Sequence, residues 1–215
     1  MMPLQYAGLL LKAAGITIWI SWLALVIAAL AGGMVGIARG APWRPLRWAA
    51  LIYTEAFRSI PMIVLMFFCY FGVPLLFKID LPPFAAATLA LALVGSSLMA
   101  EVVRSGIESV GQGQWDAARA AGLRDFQIMR LIVGPQALRV MLPASVGVYV
   151  ATLKDSSIAS IIGYVELTKT GLLIRDSAGH GFEVLAYVSL IYFAINYAIS
   201  LGGHALERRY RIVGH

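Results

Sequence analysis

The chain has 215 residues, 60% of them hydrophobic and only 13% charged, with a mean hydropathy of +0.81. A soluble domain averages about 45–50% apolar and about 25% charged, so this composition excludes an ordinary water-soluble globule and indicates a membrane protein. The net charge of +6 arises from basic residues placed between apolar blocks, a pattern of membrane orientation and not of nucleic-acid binding.

About 20 apolar residues are needed for a helix to cross the hydrocarbon core. Five blocks meet that length: 14–38, 49–77, 82–104, 138–165 and 184–206. The first lies between Lys12 and Arg39 without a charge, and no basic region or cleavage site precedes it, so it reads as a retained helix. Gly32, Gly33 and Gly36 in this block suit close helix packing. Pro61 and Pro74 interrupt the second block and Pro143 the fourth, where each frees a carbonyl that a neighbour or water must satisfy. Trp19, Trp22, Trp43, Trp48 and Trp115 read as interface anchors or packing residues. The lone Cys69 cannot form an internal disulfide, and His180, His204 and His215 lack metal-ligand spacing. There is no internal repeat and no soluble domain, so the expected fold is a single all-α membrane domain of five spans.

Arginine placement orients these spans. One side carries Arg39, Arg44 and Arg47, then Arg104, Arg119, Arg124, Arg130 and Arg139, then Arg208, Arg209 and Arg211. The other carries Lys12, Lys78, Lys169 and Arg175. The rule that cytoplasmic loops are basic places the N-terminus outside and the C-terminus in the cytoplasm.

Between the third and fourth spans, Gln114 to Gly122 reads as a short alanine-rich helix with glycine as its stop. A second short helix, Phe126 to Val133, is expected to end before Pro135. Pieces this short are marginal alone in water and need a supporting surface. Small side chains at Ala117, Ala118, Ala120 and Ala121 allow another protein to approach closely.

This stretch resembles the EAA loop of ATP-binding-cassette (ABC) importer permeases: Glu-Ala-Ala, three residues, Gly, nine residues, Ile-x-Leu-Pro. Here Asp116-Ala117-Ala118, Gly122 and Ile132-Val133-Gly134-Pro135 stand at that spacing, with Asp116 and Gly134 departing from it. Tyr53 to Pro61, Ala100 to Gly106 and Leu153-Lys-Asp-Ser-Ser-Ile-Ala-Ser160 are similar to segments of polar amino acid permeases, and Arg58-Ser-Ile-Pro61 resembles the glutamate/aspartate type.

The resemblance implies a type I importer permease fold in the bacterial inner membrane. It implies a second permease subunit, identical or paralogous, and a periplasmic solute-binding protein. It also implies ABC ATPase subunits gripping Asp116, Ala117, Ala118 and Gly122. ATP and Mg would belong to the ATPase, since this chain has no Gly-x-x-x-x-Gly-Lys-Ser/Thr phosphate loop. A permease for another solute such as methionine, and a channel working without an ATPase, are the alternatives.

A charge at the centre of a membrane helix costs about 2.5–3.5 kcal/mol. Lys154 and Asp155 therefore require a watery path or partners on neighbouring helices. Asp155, Ser156 and Ser157 are candidates for a substrate pathway, in which the carboxylate suits an α-amino group. Glu101 and Arg58 are further candidates, Arg58 for a substrate carboxylate. Glu55–Arg58 and Glu101–Arg104, each three residues apart, are read in the first place as structural helical pairs near the membrane edge.

Overall fold

A computed structural model describes residues 4–178 and 181–210. His180, Arg211 and His215 lie outside the described residues. Among the described residues the structure is helical throughout: α1 (Leu4–Arg39), α2 (Arg44–Ser59), α3 (Met62–Phe67), α4 (Val73–Phe77), α5 (Pro83–Glu108), α6 (Gln112–Ala120), α7 (Asp125–Ile128), α8 (Gly134–Asp155), α9 (Leu167–Ala178) and α10 (Gly181–Tyr210). A π-helical turn (Phe68–Gly72) joins α3 to α4, a second (Met129–Val133) joins α7 to α8, and a 3-10 turn (Ser156–Ile162) follows α8.

Four stretches are long and apolar enough to cross a membrane: Tyr6–Arg39, Pro83–Glu108, Asp125–Ile162 and Gly181–Arg209. The block read as one span over 49–77 is instead divided, with Arg44–Ser59 and Met62–Phe77 meeting at 103°. The cause is local. Pro61 disfavours helical backbone in the residue before it, and Ile60 accordingly stands at φ −79°, ψ 126°.

Pro135 behaves differently. The helix expected to stop before it runs on into α8. Gly134 donates its N–H to Met129 O, five residues back, and this widened turn admits a proline that has no N–H of its own. Val73, ahead of Pro74, makes the same bond to Phe68 O.

α1 and α5 form the central pair. A side chain at Gly32 would strike Ser96 and Met99, and one at Gly36 would strike Ala100 and Val103. The matching order means that the two helices run parallel, in contact along backbone that only glycine exposes. Tyr53 on α2 bonds Ser96 on α5 at 2.6 Å between hydroxyls. The largest apolar cluster gathers Ile20, Ala24, Leu65, Met66, Leu91 and Ile162, packing α3 and the 3-10 turn onto this pair. A second joins Leu10 and Ala14 to Leu167, Ile174 and Val184, docking α9 and α10 onto the start of α1.

Candidate functional site

The last turn of α8 presents Lys154 and Asp155, and the 3-10 turn adds Ser156 and Ser157. The structure separates these four. Ser156 is fully buried and donates to Leu153 O at 2.8 Å, so it faces the protein interior. Ser157 donates to Lys154 O at 2.8 Å and, with the exposed Lys154, lines a cavity of about 470 Å³ between α8 and α10. Asp155 is half-buried and, like Lys154, forms no ion pair among the described residues.

α10 supplies the opposite wall with Tyr192, Asn196 and Ser200. Asn196 is only 9% exposed. Its amide donates to Tyr192 O at 2.8 Å, but its Oδ1 has no partner among the described residues. Leaving a buried acceptor unpaired costs about 1–3 kcal/mol. The cavity itself presents the Lys154 ammonium group and side-chain hydroxyls, a set able to hold the carboxylate of a small solute. Its volume falls within the usual range of small-molecule sites, roughly 300–1,000 Å³.

Neither Asn196 nor its neighbours stand out in the sequence, because neutral polar residues scattered in an apolar helix carry no charge signal. The signal present is register. Tyr192, Asn196, Ser200 and His204 recur every fourth residue and share one face of α10.

Glu166, just before α9, also escapes a hydropathy reading and is completely buried. It accepts the N–H groups of Thr168 and Lys169 at 2.9 and 2.8 Å, capping the first turn of α9. It further accepts the Tyr192 hydroxyl at 2.8 Å and the Thr17 hydroxyl at 3.4 Å. Burial pushes its carboxyl above the usual range, while these donors draw it back. One side chain thereby joins α1, α9 and α10, and through Tyr192 it touches the cavity wall.

Glu101 and Arg58 take no part in lining that cavity. Glu101 pairs with Arg39 on α1 and with Arg104 one turn along α5, and Arg58 stands 4.0 Å away at the end of α2. Arg58 also pairs with Glu55 at 3.5 Å, and Arg104 with Glu108. These charges tie three helices together.

On α6, Asp116 and Ala117 are exposed, whereas Ala118 is buried against Val110, Ile128, Val133 and Ala137. Ala118 thus seats α6 on its own chain, leaving Asp116 and Ala117 on the open face. Gly122 ends the element at φ 80°, in the left-handed region that favours glycine. Arg119 lies 3.8 Å from Asp116 and 3.6 Å from Asp125, bracing the turn.

Residues 28–212 match the family described as "Binding-protein-dependent transport system inner membrane component". The chain is 34% identical to the probable glutamine ABC transporter permease protein GlnP of Bacillus subtilis (strain 168), over 90% of each chain. It is likewise 34% identical to the glutamate/aspartate import permease protein GltJ of Escherichia coli (strain K12), over 98% of this chain and 90% of the relative. A solved structure described as "Crystal structure of an amino acid ABC transporter with histidines" superposes with a TM-score of 0.91 at 31% identity, over 96% of each chain. The inward-facing MetNI methionine ABC transporter superposes at 0.83 with 20% identity, over 98% of this chain and 100% of the other, a likeness of fold alone.

Proposed function

The chain belongs to the family of binding-protein-dependent transport system inner membrane components, and from that premise we propose that it is the pathway-forming subunit of an ATP-driven importer of a polar or charged L-amino acid. It is an all-α, multi-pass inner membrane protein with the type I ABC importer permease fold. The substrate class follows the relatives, which are named for glutamine and for glutamate/aspartate.

The observation that carries the reading is the cavity between α8 and α10. Lys154 supplies the charge to hold an α-carboxylate. Asp155, next to it in sequence and half-buried, offers a carboxylate that suits an α-ammonium group. A free amino acid carries both groups at fixed separation. In the orientation set by the arginines, the Lys154 end of α8 faces the periplasm, where a solute-binding protein delivers, and α6 faces the cytoplasm. There Asp116, Ala117 and Gly122 dock on an ATPase subunit that holds ATP and Mg, while a second permease subunit closes the pathway.

The test is equilibrium binding of radiolabelled L-amino acids to the purified complex. Glutamine, glutamate and aspartate, histidine, methionine and leucine make up the panel. One polar amino acid is expected to bind best, and Lys154→Ala to weaken that binding by about tenfold or more, the loss of a charged contact. Equal binding by Lys154→Ala and the wild type removes the cavity from the substrate path. Best binding of methionine moves the chain to another solute class.

A further inference from the structure

Phe126, the second residue of α7, leaves 74% of its surface uncovered. Its depth follows from the packing of α5 against α8. Gly106 faces the Ala137 carbonyl, Ser145 bonds Met99, and Gly95 faces Thr152. The two helices are therefore antiparallel, and residues before Ala137 extend past the end of α5. That end is charged: Arg104 and Glu108 bond each other on either side of Gly106. The stretch Asp125–Ile162 is helical throughout, so the eleven residues from Ala137 back to Phe126 carry the ring about 15 Å beyond this charged edge. A headgroup layer adds only about 5–8 Å to each side of the hydrocarbon core. Phe126 thus stands clear of lipid.

Resting on the reading that α6 docks on an ATPase subunit, we propose that Phe126 is the apolar anchor of that interface, its ring entering a hydrophobic pocket of the ATPase beside the surface that receives α6. The chain's own core does not take the ring. Ile128, two residues on, is completely buried in the cluster that seats α6, which turns Phe126 to the opposite, open side of α7.

Two observations join Phe126 to the docking surface. Arg119 stands 3.8 Å from Asp116 on α6 and 3.6 Å from Asp125, the residue before Phe126, so the start of α7 is continuous with the side of α6 that carries Asp116. The exposed Asp116 and Ala117 of α6 are small, and an interface made of such side chains alone lacks a large apolar group to bury. Binding energy concentrates in a few large side chains seated in pockets and ringed by polar ones. Phe126 supplies the large group, and the exposed Arg124 and Asp125 supply polar neighbours at its rim.

The experiment measures how much ATPase subunit copurifies with the permease from membranes. Phe126→Ala is expected to lower it by about tenfold or more, the loss of a buried aromatic anchor. The variant should still accumulate in membranes at the wild-type level, because truncating an exposed side chain leaves the fold intact. Phe126→Leu, which keeps an apolar side chain, should recover most of the copurification. Full copurification with Phe126→Ala overturns the proposal. A fall in membrane accumulation that matches the fall in copurification also overturns it, since Phe126 then serves the fold. A second readout places the photo-crosslinking residue p-benzoylphenylalanine at position 126 in the membrane-embedded complex. The expected adduct is with the subunit that binds ATP, and an adduct with a second permease subunit or with lipid sinks the anchor. The same probe at position 117 separates the two readings. An ATPase adduct from 117 without one from 126 removes Phe126 alone, and no ATPase adduct from either position removes the docking of α6 itself.

Discussion

Tyr192 Oη lies 2.8 Å from Glu166 Oε2, and this bond joins the wall of the cavity between α8 and α10 to the capped start of α9. The carboxylate serves four donors at once, and two of them, the Thr17 and Tyr192 hydroxyls, have further partners of their own. Removing it strands the Thr168 and Lys169 N–H groups at the start of α9, and each buried donor left unpaired costs about 1–3 kcal/mol. Glu166→Ala is therefore expected to destabilise the subunit by about 3 kcal/mol or more, seen as a marked fall in the thermal unfolding midpoint of the detergent-solubilised complex. Glu166→Gln, which keeps one acceptor oxygen, should recover part of the loss. An alanine variant as stable as the wild type would show that the carboxylate is not the tie.

The α1–α5 contact predicts a contrast between adjacent glycines. At Gly32 and Gly36 an added side chain meets the backbone and side chains of α5, whereas at Gly33 it meets nothing within 4 Å. Overpacking of this kind costs about 1–3 kcal/mol. Gly32→Val and Gly36→Val should accumulate poorly in membranes, and Gly33→Val should accumulate normally. Equal levels of all three would contradict the parallel packing.

Gly122 stands at φ 80°, where an L side chain costs about 1–2 kcal/mol. Its Cβ direction is open, so the penalty is in the backbone of the exposed turn and not in the membrane domain. Gly122→Leu should insert and fold but copurify with less ATPase subunit and transport less. Full copurification with full transport would remove the turn from the docking surface.

Asp155 and Glu101, both acidic and both near helix ends, should respond differently. Glu101 is engaged by Arg39 and Arg104, so Glu101→Gln should lower stability by more than the about 0.2–1 kcal/mol of an exposed pair and less than the about 3–5 kcal/mol of a fully buried one. The substrate concentration for half-maximal transport should stay unchanged. Asp155 has no ionic partner among the described residues, so Asp155→Asn should impair transport more than assembly. The opposite pattern in the two variants would reverse their assignments.

Much of this protein is legible without coordinates, because the signals are local. Hydropathy over about 20 residues marks where helices cross a bilayer. Spacing of three residues pairs Glu55 with Arg58 and Glu101 with Arg104. Alanine content and Gly122 mark α6 and its end. The three prolines named as interruptions were not equivalent, however. Pro61 divides its span at 103°, while Pro74 follows a widened turn inside a continuing helix and Pro143 sits within α8. Whether a turn widens depends on what packs around it, which residue identity does not state.

The sequence by itself determined the class of molecule, most of its helical spans and the alanine-rich element between spans. These follow from transfer free energies and backbone preferences that act over a few neighbouring residues. Only the tertiary structure decided that Glu101 reaches back 62 positions to Arg39 and that Glu166 meets Thr17 across 149 positions. It also decided that Asn196 and Lys154 face each other across a groove between α8 and α10. Such pairings depend on which helix faces lie against one another, a choice made by close packing over the whole domain.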